Sequence, residues 1–506
     1  MSSSSSDLIL GLDVGTTAAK ASLFSLDHSV RITAERGYPL VSLQPGWHVQ
    51  YPNAIAAGVI AAMREAVSQV DAGRVMGISV STAMHGLVGL DAGNRPVTEL
   101  LTWADSRATQ EAYEISYGAA GDRLHRVSGT PVHAMSPLVK LRWFAKHHPD
   151  IQANTAHWIG LKDWILVTLT GEVVTELSSA SGSGMADLAE RAWNPEAIEL
   201  SGVREDQLPR ILDTTDILPL GKDAADAVGL PAGLPVVVGA GDGPLGNLGT
   251  GALQTGVTGL SIGTSGALRM VIKTPAVAPG LFCYALTRDI WVSGGAISNG
   301  GMVQRWLTQN FAPGLNDAEA CTRAEGVPPG SDGLRMIPYL VSERASLWDQ
   351  EIRGAFLHVR RPHTPDHFVR AGIEGVALQL WTILRRLRTM ARVSQVRATG
   401  GVFRSQLWRD VAAGVLNRPL VVTGAEEGSG LGAGILGLYA LERVDSLMEG
   451  YQLLRSQEED VVVEVSDEAE EAYEYLRQSM TPLLERYGRL SPQYAMQSRH
   501  SLAPGI

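Results

Sequence analysis

The first residues that invite a chemical reading are Asp13 and the turn just after it, in the stretch Leu8–Ala18, LILGLDVGTTA. A carboxylate at the end of an apolar run is costly to bury unless a cation pairs with it. The turn Gly15-Thr16-Thr17 offers backbone N–H groups and two hydroxyls, donors that suit phosphate oxygens. An aspartate beside such a nest is a natural place for hydrated Mg²⁺, which takes one or two carboxylates together with phosphate and water. A second turn of the same kind is Gly263-Thr264-Ser265-Gly266. Either turn alone reads equally well as a plain hairpin. As a pair, with Asp13 ahead of the first, they read as two phosphate loops serving one nucleotide.

A further acid, Asp242 in GAGDGPLG, stands alone among glycines that let a ligand approach the backbone. Such an aspartate often only caps a helix, and Pro244 fits an early helical position. Its chemical reading is a general base that takes the proton of a substrate hydroxyl as it attacks phosphorus. Gly241, Gly243 and Gly246 formally match a dinucleotide fingerprint after the strand PVVVGA. That motif expects a ribose-binding acid about 20 residues on, and no Asp or Glu occurs between Asp242 and Asp289. The chain also lacks the Gly-x-x-x-x-Gly-Lys-Ser/Thr loop, so phosphate is handled by another architecture. Gly400-Gly401, in TGGVFRS, ends a strand and opens a helix, and side-chain-free glycines beside Phe403 could take an adenine or ribose face. The segment from Gly428 to Gly434 reads as a helix that another backbone approaches closely.

Candidates for a polyhydroxylated substrate cluster in the first half: Met84-His85 after the strand ISVS, and Trp103-Ala104-Asp105-Ser106-Arg107. An indole face can stack on C–H surface while charged groups bond hydroxyls. The plainer readings are a loop histidine for His85 and a surface ion pair, worth little, for Asp105 and Arg107.

These residues need strand ends and tight turns to hold them, and the patterning supplies both. Short β-rich runs alternate with helical periodicity, the α/β signature. Strands are expected at Leu8–Leu12, Ala19–Phe24, Val75–Ser81, Pro235–Gly239, Gly259–Ile262, Leu268–Val271, Ile290–Ser293, Gln395–Thr399 and Leu420–Thr423. Helices are expected at Asn53–Val70, Pro365–Arg392, Ser405–Leu416 and after an N-cap at Ser466. The two turns sit in similar strand–turn–strand units, so a duplicated protein clamping one ligand between its halves is expected. The expected divisions are a disordered 1–6, a sugar-binding half carrying the first phosphate loop at 7–249, a nucleotide-binding half at 250–487 and a peripheral tail at 488–506.

A chain of 506 residues exceeds one core. Its 42 basic and 53 acidic residues give a formal net charge of -11, which argues against nucleic-acid or anionic-membrane binding. Only two cysteines occur, Cys283 and Cys321, so a disulfide framework or cysteine zinc site is excluded. Neither a signal peptide nor a membrane span is visible, and a cytoplasmic location is expected.

Taken in order, the motifs resemble the FGGY carbohydrate kinases of the actin and hexokinase superfamily: GLDVGTTAAK, STAMHGLVGLD, TWADSRA, GAGDGPLGNLG, SIGTSG, GGAISNGGMVQRWL, SERASLWD and ATGGVFRSQLWRD. The resemblance runs from Leu8 to about Leu441 and implies two ribonuclease H-like domains with ATP and Mg²⁺ in the cleft. It implies that Asp13 and Gly15-Thr16-Thr17 form the first phosphate and metal motif, Gly263-Thr264 the second, and Gly400-Gly401, with Gly301 nearby, the adenosine motif. Asp242 falls at the catalytic aspartate and Met84-His85 at the sugar contact. The chain departs from the family pattern at Ser342–Trp348, SERASLW, and at His358, where glycine is usual. TWADSRA and GGAISNGG look most like gluconate kinases, MHGLVGLD like xylulose kinases too. The expected partner is therefore a small sugar acid or sugar, with gluconate favoured, xylulose or another pentulose or polyol next, and a homodimer allowed. A non-catalytic actin-like ATPase would share the phosphate loops without needing MHG, WADSR or Asp242. An aldonate also needs a cationic or amide donor for its carboxylate, and His85 and Arg107 are the nearest in sequence.

Overall fold

Two sheets built on the same strand plan organise the chain. The computed structural model describes residues 7–424, 428–455 and 457–501, with side chains through residue 487. The serine run expected to be disordered lies outside the described residues, as does the end of the tail from residue 502.

The first sheet comprises β1 (Leu8–Val14), β2 (Ala18–Ser25), β3 (Arg31–Gly37), β4 (Val75–Thr82), β5 (Ile217–Pro219) and β6 (Pro235–Gly241), in the order β5-β6-β4-β1-β2-β3. Strands β1, β2 and β3 form an antiparallel meander. β4 then runs parallel to β1, and β6 parallel to β4. The second sheet comprises β7 (Val257–Ile262), β8 (Gly266–Ile272), β9 (Phe282–Ala285), β10 (Trp291–Ile297), β11 (Gln395–Thr399), β12 (Leu420–Val422) and β13 (Val461–Val463), ordered β9-β10-β8-β7-β11-β12-β13. Here β7, β8 and β10 form the meander and β11 and β12 the parallel extension. The two meanders with their parallel strands repeat one topology, the duplication expected from the strand–turn–strand units and the ribonuclease H-like plan that the family resemblance implies.

Central strands explain their own sequences. β1 has helices on both faces and reads as an almost unbroken apolar run. Helix α1 (Pro52–Val67) begins with proline at its first turn and buries Ile55, Val59, Ala62, Met63 and Ala66. The other helices that matter here are α2 (Leu161–Thr170), α3 (Asp242–Gly249), α4 (Gly301–Phe311), α5 (Pro365–Leu387), α6 (Gln406–Leu416), α7 (Gly428–Ala440) and α8 (Asp467–Ser501). Ser466 Oγ accepts from the Ala469 N–H, the expected cap of α8. β3 was not expected; of its seven residues only Ala34 is buried, so no period-2 alternation marks it.

Chain order and packing diverge at α7. This helix belongs to the second half in sequence, yet its Leu431, Ile435 and Leu438 share a core with Ile9, Phe24, Leu245 and Leu248. Its glycines permit the approach. A Cβ on Gly432 would lie 2.0 Å from the Leu245 carbonyl oxygen, so α3 and α7 touch backbone to backbone.

Candidate active site

Parallel strands end on the same side of a sheet, and this fact assembles the site. Asp13 lies near the end of β1 and Asp242 just past the end of β6, with β4 between them. Both carboxylates line a cavity of about 720 Å³ between the sheets, whose walls include Lys20, Ser22, Gly263, Gly400, Gly401 and Gly430.

Asp13 has a protein partner that its local sequence does not reveal: Ser81 of β4 donates its hydroxyl to Asp13 Oδ1 at 2.8 Å. Removal from water nevertheless pushes the Asp13 carboxyl up to about 6; the Ser81 hydrogen bond opposes this and the Asp242 charge adds to it. A divalent cation would relieve both the desolvation and the repulsion. No group of three or more His, Cys, Asp or Glu side chains able to hold a metal occurs among the described residues. The arrangement therefore fits an ion that takes one carboxylate here and its remaining ligands from phosphate and water.

Asp242 is the first residue of α3, following Gly241 at the N-cap. Desolvation raises its pKa, while the charge of Arg269 and the Gly243 N–H lower it. The strand delivering it carries a bulge: β6 shifts register against β4 between Val237 and Ala240. Gly239 sits there at φ 77°, and a Cβ would stand 1.8 Å from the Val80 carbonyl oxygen. Lys162, at the start of α2 and 1% exposed, occupies the carbonyls this bulge releases. Its Nζ donates to Val80, to Val238 at 3.0 Å and to Ala240 at 2.9 Å. Burial lowers the lysine's pKa, and the charges of Glu176, Asp163, Asp13 and Asp242 sustain its ionised form. Sequence reasoning missed Lys162, since nothing in LKDWIL marks a lysine that turns inward.

The two glycine turns flank the cavity differently. Gly263 lines it, and the start of α4 folds onto the same turn, with Gly300 and Met302 N–H donating to the Thr264 carbonyl and Gly301 N–H to that of Gly263. Thr264, Gly301 and Gly401 together line an adjoining cavity of about 580 Å³. Gly400 adopts φ 123°, and a Cβ there would lie 2.1 Å from the Ile262 carbonyl oxygen, so the second turn and the TGG turn are pressed together. In the first turn Thr16 is braced: Trp103 Nε1 donates to its hydroxyl at 2.9 Å and Gln50 Nε2 to its carbonyl at 2.6 Å. Gly15 and Thr17 are absent from the walls of all these cavities.

A third cavity, about 350 Å³, shares Asp242, Ser261, Gly263 and Arg269 with the first and extends to Thr16, Met84, His85, Trp103, Tyr284 and Arg344. Asp242 thus stands in the wall common to a glycine-lined chamber and a chamber of small-sugar size. His85 Nδ1 lies 2.8 Å from the Gly182 carbonyl, and burial pushes its pKa down to about 3. The ring is therefore neutral, with Nδ1–H donating and Nε2 left as an acceptor for a hydroxyl. Burial disfavours a cationic role for His85 toward a carboxylate.

Asp105 and Arg107 require a correction. They do not line this cavity. Arg107 forks onto Asp105 at 2.9 and 2.8 Å, with the two side chains 6% and 0% exposed, and its guanidinium lies 3.9 Å from the Trp47 ring centroid. Asp105 Oδ2 also accepts from the His48 N–H. Neither the carboxylate nor the guanidinium is available to a ligand, and the pair is buried rather than the surface pair of the plainer reading. The cations that do face the cavity are Arg269 and Arg344, placed by β8 and by the SERASLW loop. Within that loop Glu343 accepts from the Ser298 and Arg344 N–H groups and from Asn299 Nδ2, holding Arg344 in place. Arg344 lies over the Trp103 ring at 5.1 Å. His358 adopts φ 58°, the left-handed region that accounts for glycine being usual there.

Comparison with known proteins agrees with this geometry. Residues 8–249 match the model for the N-terminal domain of the FGGY family of carbohydrate kinases, and residues 259–441 match that for its C-terminal domain. The gluconokinase of Bacillus subtilis (strain 168) is 37% identical over 453 residues, covering 87% of this chain and 88% of that one. The xylulose kinase of the same organism is 28% identical over 448 residues, covering 87% and 90%. The crystal structure of gluconate kinase from Lactobacillus acidophilus superposes with a TM-score of 0.92 at 28% identity, covering 96% of this chain and 99% of that one.

Proposed function

Because the chain belongs to the FGGY family of carbohydrate kinases, we propose that it transfers the terminal phosphoryl group of ATP to the primary hydroxyl of D-gluconate, giving 6-phosphogluconate. One observation carries the chemistry: Asp242 stands in the wall shared by the glycine-lined chamber and the sugar-sized one. A hydroxyl held in the smaller chamber meets a phosphate held in the larger one only across that wall.

In this reading Asp242 accepts the hydroxyl proton as the oxygen–phosphorus bond forms and the bond to the leaving ADP oxygen breaks. Its place in the first turn of α3 favours the carboxylate form. Gly263 and Thr264 border the phosphates and Gly301, Gly400 and Gly401 the nucleoside; in the first turn Gly15 gives its N–H to the Ala18 carbonyl and Thr16 faces the sugar-sized chamber. Mg²⁺, held through Asp13, would neutralise phosphate charge. Met84, His85 and Trp103 border the sugar, with His85 Nε2 accepting a hydroxyl. Closure of the halves would exclude water and limit ATP hydrolysis.

Gluconate rather than a ketose is supported by the 37% identity to the B. subtilis gluconokinase, against 28% to the xylulose kinase. A coupled ADP-release assay across gluconate, xylulose, ribulose and glycerol tests the assignment. Background turnover on gluconate beside rapid turnover on a ketose would overturn gluconate and leave the kinase. ATP turnover indifferent to every sugar would overturn both.

A further inference from the structure

Two guanidinium groups in the sugar-sized chamber have no carboxylate within ion-pair distance among the described residues. Arg269 donates from Nη1 to Ser261 Oγ at 3.1 Å, while its Nε is enclosed and makes no hydrogen bond. Arg344 donates to the Ile297 carbonyl at 2.9 Å and to Ser298 Oγ at 3.3 Å. Elsewhere Arg107, Arg370, Arg397 and Arg477 each have a carboxylate within 3.1 Å. A guanidinium removed from water without a counter-ion is costly, and here burial drives Arg269 down to about 10. Asp242 stands in the same wall and the Glu343 charge acts on Arg344 from behind, but neither carboxylate is in contact with either guanidinium.

Other cations near the chamber are committed. Lys140 is 0% exposed and donates to the His85 and Thr102 carbonyls at 2.6 and 2.7 Å. His133 and His85 are both neutral, pushed down to about 3 by burial. Arg107 is paired with Asp105.

We propose that Arg269, with Arg344 beside it, is the binding site for the carboxylate of an aldonate substrate and the source of selectivity for sugar acids over neutral polyols. This rests on the gluconate reading above. Arg269 lines the chamber with no carboxylate in contact, so its guanidinium supplies the donors a carboxylate needs, and Arg344 beside it adds a second positive charge.

Gluconate and glucitol test it, because they differ only in carboxylate against CH₂OH at one end. Wild-type enzyme and the Arg269→Met and Arg344→Lys variants are assayed on both, as kcat/KM with saturating ATP. Arg269→Met should lower the gluconate-to-glucitol ratio by about 10- to 100-fold, mainly through the KM for gluconate, as expected for one lost charge-assisted contact. Arg344→Lys keeps the charge but not the fork, so its ratio should fall by less. Equal losses on both substrates with Arg269→Met would overturn the proposal and assign Arg269 to the transferring phosphoryl group. If Arg269→Met fails to fold, Arg269→Lys takes its place, and an unchanged ratio there overturns the proposal too. Wild-type enzyme that ignores gluconate but phosphorylates a ketose overturns the gluconate reading itself, an outcome distinct from an arginine-insensitive ratio.

Discussion

Replacing Asp13 with asparagine should make the protein more stable and less active, and the stability gain should depend on pH in a calculable way. The carboxyl has an ordinary value of 3.8 and is pushed up to about 6 in the folded chain, first by removal from water. Below pH 3.8 both folded and unfolded forms are protonated, and the residue costs nothing. Between 3.8 and 6 the unfolded chain releases its proton while the folded chain holds it, so stability falls as pH rises; above 6 the penalty is complete. At about 1.4 kcal/mol per pH unit, the gap from 3.8 to about 6 is worth at most about 3 kcal/mol. The carboxylate faces an open cavity, so about 1–3 kcal/mol is the expected range. Asparagine keeps an oxygen to accept from Ser81 and carries no charge. Thermal midpoints of the ligand-free protein at pH 4.5 and pH 7.5 read the effect: Asp13→Asn should melt higher than wild type at pH 7.5, with the difference shrinking at pH 4.5. Its activity should fall, and its magnesium requirement should rise. A variant less stable than wild type at pH 7.5, or a gain identical at both pH values, would refute the desolvation argument. An unchanged magnesium curve would remove Asp13 from the metal.

Asp242→Asn should retain fold and nucleotide affinity but lose about 10²–10⁴-fold in kcat; near-normal turnover would take the base role from Asp242. In wild type, the acid limb of kcat/KM should lie above the ordinary carboxylate range, because desolvation raises the pKa of Asp242 and activity requires its ionised form; a limb near pH 4 would count against it. Arg107→Met breaks a buried pair and strands Asp105, so it should cost about 3–5 kcal/mol of stability while leaving the gluconate-to-glucitol ratio of the folded enzyme unchanged; a selective loss on gluconate would return Arg107 to the substrate. Lys162→Met removes the donor to three strand carbonyls and should depress kcat more than the KM for sugar, with the acid limb moved to higher pH as a positive charge near Asp242 disappears. A limb that stays put would make Lys162 purely structural.

What the sequence revealed depended on whether the chemistry was local. Glycine turns, strand ends and the isolated Asp13 and Asp242 are local facts, and the strands carrying them appear where the apolar runs placed them. The expected strand at Pro235–Gly239 extends to Gly241 and delivers Asp242 as the first residue of a helix. Arg107 was misplaced as a candidate donor because nearness in sequence stood in for nearness in space. Arg107 lies close to Trp103 along the chain, but two residues of turn bring it back onto Asp105 and Trp47. Arg269 and Arg344 come from a strand interior and a distant loop. The LRMVI pattern of β8 marks an arginine between apolar residues as a position on the outer face of a strand; only the cleft between two sheets makes that face the wall of a chamber.

The same geometry sets the charge balance of the site. Parallel β1, β4 and β6 bring two carboxylates to one end of a sheet, and the Asp242 charge adds to the raised pKa of Asp13. Lys162 lies behind them and meets the strand carbonyls, so it offsets the repulsion through the field without occupying the cavity. Arg269 stands in front, in the wall both chambers share. Desolvation raises the pKa of Asp242 while the Arg269 charge and the Gly243 N–H lower it, so in the proposed reaction it keeps a basicity that a cation paired directly with it would remove. Asp13 accepts from Ser81 and feels the charges of Lys20 and Lys162, but no cation is in contact with it among the described residues. That residual negative charge, at the mouth of a glycine-lined chamber, is what would draw a divalent ion to the phosphates rather than to the base.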